Sequence, residues 1–361
     1  MRRGEPDTAP NGRPDAPGGA ATRPPSQADV AALAGVSSQT VSRVVSGRAK
    51  VEEATRRRVV DAMQILGYRA NTAARALATG RFHTIGVLGF TFGAHGNART
   101  LQAISEQAQD AGYSVTVMTV RRHTEGALRE AVTALGDQAV DGIVLIDPQI
   151  LDRPGLELPT GVPVVISDGN PDRRYPSVNN DQTAGARGAV DHLLGLGHRT
   201  VWHLAGPRDS YAAQQRAAAW HAALKAAGVP IPPIVYGDWS AQSGYEAGRA
   251  IATAGEATAV FAANDHMALG LMRALDDAGV SVPGDLSVVG FDDVAEAAFF
   301  KPPLTTVHYD FEQLGRECVS LLLRLIAEPS ADARVAVAPT PLIVRGSTAP
   351  PPSRAGGSGR H

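Results

Sequence analysis

Short, nearly continuous apolar segments alternate with helical periodicity through most of the chain. In order, the apolar segments are TIGVLGF, SVTVMTV, GIVLID, VPVVISD, TVWHLAG, TAVFAAND and LSVVGFDD. Helix-period stretches such as TLQAISEQAQDAG and DHMALGLMRALDDAG follow them. Buried strands that alternate with helices are typical of parallel sheets with helices on both faces. The number of units predicts an α/β body of two subdomains, whose two sheets face a cleft.

Several of these segments end in polar residues, which are Asp147, Asp168, Asn264, Asp265, Asp292 and Asp293. In open α/β sheets, ligands bind at the carboxyl ends of the strands. These side chains are therefore candidates for a ligand site. The alternative is that an aspartate at a strand end caps the next helix, and we expect Asp265 to do so for the helix that begins HMALG.

The N-terminal part of the chain has only helical periodicity. In SSQTVSRVVSG, Val41, Val44 and Val45 form one apolar stripe, and Ser37 is suited to cap a helix that begins at the next residue. DVAALAGVS predicts a preceding helix that ends at Gly35, so two helices meet across a short turn. This is the helix-turn-helix arrangement. VEEATRRRVVDAMQILGY predicts a third helix, with small or apolar residues at positions 55, 59, 62, 63 and 66.

The polar face of the second helix carries short side chains and one arginine, which suits close contact with a DNA groove. In the major groove, Gln39 can pair with an adenine edge and Arg43 with a guanine edge. Ser37, Ser42 and the N-terminal amides can bind phosphates. The candidate DNA-binding residues of this helix are Ser37, Ser38, Gln39, Thr40, Ser42 and Arg43. The alternative is the solvated face of a small helical bundle.

Charge is distributed unevenly along the 361 residues, although the net charge is only −2. Residues 26–80 carry eight Lys and Arg against four Asp and Glu, whereas residues 81–361 carry 22 basic and 29 acidic residues. A basic head on an acidic body fits a polyanionic partner at one end of the chain. Cys318 is the only cysteine, which excludes internal disulfides and cysteine-cluster metal sites.

The chain has no apolar run long enough to span a bilayer, and its first residues have no apolar signal-peptide region. We therefore expect a cytoplasmic, nucleoid-associated protein that does not contact the membrane. Residues 1–25 and 347–361 are rich in Pro, Gly and Ala and are expected to be disordered.

The segments GVSSQTVSRVVSG, VEEATRRRVVDAMQILGYRAN and ARALATG together resemble the lac repressor family of bacterial transcription regulators. The resemblance runs from about residue 26 to 346 and includes GDWSAQSGY, SVVGFDD and PPLTTVHYDFEQLG. It implies a helix-turn-helix headpiece at residues 26–66, a hinge helix or linker at 67–81, and an effector and dimerisation domain at 82–346. The body would fold like periplasmic sugar-binding proteins, and the chain would cross between its subdomains near residues 181 and 309.

In this family, the segment after the third helix folds into a short hinge helix on operator DNA. The resemblance assigns Asn71 as the N-cap of the hinge helix and Leu77 as an apolar wedge in the minor groove. An isolated helix of about eight residues is unstable in water, so whatever orders it can switch it. An apolar wedge between base steps kinks DNA. The alternative is a helical linker with Leu77 packed on the body.

The family's effector lies between the two subdomains, and its contacts carry over to Asp168, Arg216, Trp239, Asn264, Asp292, Tyr309 and Phe311. Carboxylates, an amide and an arginine suit sugar hydroxyls, and Trp239 offers an apolar face to a pyranose. Taken singly, Arg216 can instead form a surface ion pair and Trp239 can belong to the core. Tyr309 is a departure, because a similar member of the family has Gln at this position. DWSAQSGY favours a glycoside, and a β-galactoside is the favoured effector.

These observations predict a homodimeric repressor that reads a pseudo-palindromic operator and releases it on binding a small sugar. No heptad repeat follows residue 346, so we do not expect a tetramerising coiled coil. The alternatives are a sugar-binding protein or a sugar-processing enzyme without a role on DNA. The sequence has no G-x-x-x-x-G-K-[ST] loop, no G-x-G-x-x-G after a strand and no H-E-x-x-H. No catalytic residue, cofactor or metal site is therefore predicted.

Overall fold

The computed structural model of the protein describes residues 23–46, 51–68, 80–122, 124–146, 158, 161–169, 175–330 and 338–352. The chain divides into two compact units, a head up to Gly80 and a body from Arg81 onward.

The head consists of three helices around a small apolar core. These are α1 (Gln27–Ala34), α2 (Ser38–Ser46) and α3 (Glu53–Leu66). Ser26 and Asp29 form a reciprocal capping box at the start of α1, and Gly35 ends this helix in the left-handed conformation. Val41 of α2 and Val59 of α3 are fully buried in the core.

The body contains two sheets, which define a first lobe and a second lobe. The first sheet has the order β2-β1-β3-β4-β5, and all its neighbouring strands are parallel. Its strands are β1 (Thr84–Gly89), β2 (Ser114–Thr119), β3 (Gly142–Ile146), β4 (Val164–Ser167) and β5 (Ser177–Val178). The second sheet has the order β11-β10-β9-β8-β6-β7, in which only β11 is antiparallel to its neighbour. Its strands are β6 (Trp202–Ala205), β7 (Val235–Tyr236), β8 (Ala259–Ala262), β9 (Ser287–Asp292), β10 (Thr305–His308) and β11 (Leu342–Ile343).

Helices cover these sheets. They are α4 (His95–Asp110), α5 (Glu125–Asp137), α6 (Gln182–Gly195), α7 (Tyr211–Ala227), α8 (Ala241–Ala254), α9 (Asp265–Asp277), α10 (Phe311–Ala327) and a 3₁₀ helix (Ala295–Phe299). Every residue of β3, β4, β8 and β9 is buried. Because successive strand residues point to opposite faces, both faces of these strands are covered. The predicted two-sheet α/β body is confirmed.

The chain passes between the lobes more than once. It leaves the first sheet after β5 and enters the second lobe with α6. It returns after β10, because α10 packs against β3 and β4, and then reaches β11 in the second sheet. The strand ends of both lobes and the connections between them therefore meet in one region.

The C-terminal segment differs from its prediction. Residues 347–352 were expected to belong to a disordered tail, and this is wrong for the part that the structure describes. Ser347 is fully buried, and its hydroxyl donates to the Val288 carbonyl at 2.6 Å. The Ala349 amide donates to the Ser287 hydroxyl at 3.0 Å. The segment docks because it satisfies polar groups at the start of β9, which a composition argument does not detect.

No helix within the described ranges has both the length and the apolar character that a bilayer crossing requires.

Candidate functional site

The exposed face of α2 carries the predicted DNA-reading side chains. Ser37, Ser38, Gln39, Ser42 and Arg43 are exposed, and Thr40 is half-buried. The opposite face carries Val41 and Val44, both buried, and the half-buried Val45, so the predicted apolar stripe is confirmed.

Two local hydrogen bonds fix the start of α2. The Thr40 amide donates to the Ser37 hydroxyl at 3.2 Å, which confirms the predicted N-cap. The Gln27 side chain of α1 donates to the Ser38 carbonyl at 3.1 Å and ties the two helices together. A rigid helix end whose first amides and short polar side chains face outward suits contact with phosphates and base edges. Asn71 and Leu77, the predicted hinge residues, lie outside the described residues.

A cavity of about 490 Å³ lies in the body, where the strand ends of the two lobes meet. Six of the seven predicted ligand residues line it: Asp168, Arg216, Trp239, Asn264, Asp292 and Phe311. Asp168 follows β4 of the first lobe, whereas Asn264 and Asp292 lie at the ends of β8 and β9 of the second. The strand-end rule therefore identified groups that are distant in sequence and close in space.

Arg216 is held rigidly beneath the cavity. It is only 4% exposed, so the alternative of a surface ion pair is wrong. Its Nε donates to the Gln182 Oε1 at 2.7 Å, one terminal nitrogen donates to the Ala263 carbonyl, and the same nitrogen lies 3.5 Å from an Asp292 carboxylate oxygen. The guanidinium also lies 3.6 Å from the centre of the Phe291 ring. This arrangement leaves the cation little freedom to reorient.

Burial changes the acidity of the two carboxylates in the cavity. Burial raises the pKa of Asp168 above its usual range, against the opposing effects of the Tyr309 hydroxyl and of Arg216. Burial raises the pKa of Asp292 to about 7, again opposed by Arg216. Carboxyl groups that titrate higher than usual can donate as well as accept hydrogen bonds at moderate pH. Such groups match hydroxyls, which also do both.

Trp239 owes its position to Asn264 and Gly206. The Asn264 side-chain amide donates to the Trp239 carbonyl at 3.0 Å. A Cβ atom on Gly206 would overlap the indole ring, so only glycine lets the ring lie against the end of β6. The indole is partly buried against the second-lobe core and still lines the cavity. The alternative that Trp239 belongs to the core is therefore true of only one side of the ring, because the residue also lines the cavity.

The helix after β8 is capped by Asn264, and the expectation that Asp265 caps it is wrong. The Asn264 Oδ1 accepts from the Met267 amide at 2.9 Å, since α9 begins at Asp265 itself. Asp265 is instead fully buried and accepts from the Thr306 hydroxyl at 2.6 Å and the Val294 amide at 2.9 Å. It connects β10 to the loop after β9 and does not line the cavity.

Positive φ angles occur at three of the residues that line the cavity. The values are 56° at Asp168, 75° at Trp239 and 110° at Asp292. Residues with a side chain rarely adopt this region, and they persist there only where the surroundings enforce it. Such strain concentrates at functional sites, which supports the cavity as the ligand site.

Tyr309 does not line the cavity, so the structure does not provide the direct contact that was predicted. It is 2% exposed, and its hydroxyl donates to the Asp168 carboxylate and accepts from the Gln182 side-chain amide at 3.1 Å. The phenol lies behind the cavity wall, where it contacts the lining residues Asp168 and, ring to ring, Phe311, whose ring centre is 4.6 Å away.

Several cavity residues were missed by the sequence reasoning. His95 at the start of α4 and His266 at the start of α9 bring imidazole rings from opposite lobes to 5.7 Å between centres. Burial and the nearby His266 lower the pKa of His95. Asp238 and Ser240 flank Trp239 and also line the cavity. The strand-end rule points to His266, which lies two residues after Asn264, whereas nothing in the sequence marks His95. Among the described residues, no group of three His, Cys, Asp or Glu side chains could hold a metal ion.

Comparisons with known proteins agree with this geometry. Residues 28–71 match the family model for bacterial regulatory proteins of the lacI family, and residues 190–348 match the periplasmic binding protein-like domain. The lactose operon repressor of Escherichia coli is 39% identical over 303 residues, which cover 82% of this chain and 83% of that protein. The regulator CelR of Thermobifida fusca is 35% identical over 345 residues, which cover 90% of this chain and 98% of that protein.

Solved structures give the same result. The lac repressor dimer bound to operator and the anti-inducer ONPF has a TM-score of 0.81 at 36% identity, covering 91% of this chain and all of that one. A complex of the regulator CelR with cellobiose has a TM-score of 0.67 at 32% identity, covering 90% of this chain and 99% of that one. The chain is therefore a DNA-binding transcription regulator and a member of the lacI family of bacterial regulatory proteins.

Proposed function

We propose that this protein is a repressor that binds a pseudo-palindromic operator as a homodimer and releases it when a small sugar occupies the cavity between the lobes. The observation that carries the proposal is the set of buried, mutually bonded polar groups around the cavity, next to the indole of Trp239. The relatives support it, because one was solved as a dimer on operator and another with cellobiose.

On DNA, the exposed face of α2 reads the operator. Gln39 pairs with an adenine edge and Arg43 with a guanine edge, with Ser38 beside them in the major groove. Ser37, Thr40 and Ser42 bind phosphates and set the register. Asn71 starts a hinge helix, and Leu77 wedges into the minor groove at the operator centre, as the family resemblance implies. A dimer places two such helices on two half-sites.

In the cavity, the chemistry favours a neutral glycoside. The sugar hydroxyls exchange hydrogen bonds with Asp168, Asp292 and Asn264. Trp239 packs against C–H groups of the pyranose, and Phe311 lines the far end of the cavity. Arg216 is the one guanidinium among the described lining residues, and its contacts with Asp292, Gln182 and Ala263 leave it poorly placed to neutralise a phosphate. A β-galactoside is the effector that we propose first.

We further propose that the protein binds its sugar without transforming it and that it acts in the cytoplasm, where its operator is found. The rival reading is a glycosidase in which Asp168 and Asp292 serve as the carboxylate pair. The placement of Arg216 against Asp292 favours binding, because the guanidinium holds this carboxyl group in a fixed orientation in the cavity wall. Prolonged incubation with p-nitrophenyl glycosides distinguishes binding from hydrolysis, because hydrolysis releases p-nitrophenol. Measurable hydrolysis would overturn the proposal that the protein only binds its sugar.

The test of the main proposal uses the purified full-length chain. Selection from a randomised duplex pool at moderate salt should yield a pseudo-palindromic site. A thermal-shift panel of methyl β-D-galactopyranoside, lactose, cellobiose, ribose and glucose 6-phosphate should then identify a stabilising sugar, since a ligand at 100 times its Kd adds about 2.7 kcal/mol. The stabilising sugar should release the selected duplex. The absence of any duplex preference, with or without sugar, would overturn the proposal, and tighter DNA binding with sugar would overturn the direction of the response.

A further inference from the structure

Gln182 lies at the centre of the polar network beneath the cavity, although neither the sequence reasoning nor the family resemblance singled it out. It is the first residue of α6, directly after the connection from the first lobe to the second, and it is 5% exposed. Its Oε1 accepts from the Arg216 Nε at 2.7 Å, and its Nε2 donates to the Tyr309 hydroxyl at 3.1 Å and to the Asp168 carboxylate at 3.4 Å. A single amide therefore contacts three of the predicted ligand residues.

These contacts join the two lobes. Asp168 follows β4 of the first lobe, and Arg216 belongs to α7 of the second. Gln182 directly follows the connection that enters the second lobe, and Tyr309 lies on the connection that returns to the first lobe after β10. A change in the angle between the lobes therefore changes the bonds that Gln182 makes, and displacement of Asp168 or Arg216 by a ligand acts on the connections.

The amide is suited to this position because it is both an acceptor and a double donor. A cation and a carboxylate meet the same neutral side chain, with the acceptor toward Arg216 and the donors toward Asp168 and Tyr309. Glutamate has the same length but cannot donate when ionised, and it would place a second carboxylate beside Asp168. Methionine keeps the approximate volume and loses all three bonds.

We propose that Gln182 is a positioning residue of the effector site, which orients Asp168 and Arg216 for the ligand and couples their occupancy to the connections between the lobes. Gln182 does not line the cavity, so it acts through these two side chains and not on the ligand. The proposal rests on the proposed function only in taking the cavity as the effector site.

The test compares Gln182→Met and Tyr309→Phe with the control Gln242→Met. Gln242 is exposed on α8, and its side-chain amide donates to Glu246 of the same helix at 2.9 Å. Calorimetric titration uses methyl β-D-galactopyranoside, or the panel sugar that gives the largest thermal shift. Gln182→Met should weaken sugar binding roughly five- to 100-fold, because it leaves buried donors and acceptors unpaired. Its operator affinity without sugar should stay within about twofold of wild type, and the control should match wild type in both measurements.

Two further readouts separate positioning from a general structural role. Because Gln182 and Tyr309 both act through Asp168, the double variant should weaken sugar binding by less than the product of the single effects. In Gln182→Glu, sugar affinity should fall more steeply from pH 5 to pH 8 than in wild type, since ionisation adds a charge beside Asp168. Operator release should need proportionally more sugar in each variant.

The outcomes distinguish this proposal from the proposed function. Wild-type sugar affinity in Gln182→Met, or fully multiplicative effects in the double variant, would overturn the role of Gln182 and leave the regulator intact. If wild type binds neither operator nor any panel sugar, the proposed function fails. In that case, urea unfolding without ligand is measured for wild type, Gln182→Met, Tyr309→Phe and the double variant. Additive losses of stability would mean that Gln182 and Tyr309 are not coupled, and would overturn the role of Gln182.

Discussion

Asp292→Asn should abolish a pH-dependent loss of stability that the wild-type body carries. Asp292 ends β9, is 9% exposed, and lies 3.5 Å from Arg216. Burial raises its pKa to about 7, although Arg216 opposes the rise. In the unfolded chain the same carboxyl has a pKa of about 3.9. The folded state therefore binds this proton more tightly than the unfolded state.

The sign and size follow from this difference. The stability that the proton on Asp292 contributes to the folded state is fully present below about pH 4. It falls as the pH rises from about 4 through about 7, and it stays lost above that value. Each pKa unit corresponds to about 1.4 kcal/mol, so a difference of roughly three units sets an upper limit of about 4 kcal/mol on the loss. Asparagine has a similar shape and cannot ionise. The free energy of unfolding of the variant should therefore rise relative to wild type as the pH increases from 5 to 8.

The assay is urea unfolding of the body, followed by circular dichroism at pH 5, 6, 7 and 8, with Asp276→Asn as the control. Asp276 is an exposed carboxylate on α9 that pairs with Arg273, so its replacement should shift stability by less than about 1 kcal/mol at every pH. A constant difference between Asp292→Asn and wild type across this range would refute the reasoning. A variant that becomes less stable toward pH 8 would mean that the charge balance with Arg216 outweighs the burial of Asp292.

Four further variants test DNA reading and the position of Trp239. Gln39→Ala should cost about 1–3 kcal/mol and relax specificity at one base position, measured by mobility shift on single-base operator variants. Ser42→Ala should weaken all of these sequences alike, and an unchanged operator preference in Gln39→Ala would exclude α2 as the reader. Trp239→Ala should abolish operator release by the sugar and leave sugar-free operator affinity intact, whereas loss of both would indicate a folding defect. Gly206→Ala should weaken sugar binding about tenfold and change the tryptophan emission, because the added methyl displaces the indole; wild-type affinity would contradict the assigned indole position.

Local periodicity was enough to predict most of the architecture. The valine stripe and the Ser37 cap of α2, and the seven long apolar strands of the body, depend on neighbours within a few residues. Four strands were not predicted. β5, β7 and β11 have only two residues each, too few for a measurable period, and β10 (TTVH) has a single aliphatic residue. The strand-end rule located most of the cavity, since it follows from parallel topology alone.

Pairing between distant side chains depended on how the lobes fold against each other. Gln182 and Tyr309 are 127 positions apart, and nothing in either neighbourhood indicates that they share a hydrogen bond. The same holds for the burial of Tyr309 beneath Asp168, and for the docking of Ser347 on β9 across 59 positions. Periodicity reports which face of an element is apolar, because that depends on burial averaged over a few turns or strand residues. The partner of a buried polar group depends on which elements cross in space, and the folded chain alone determines that.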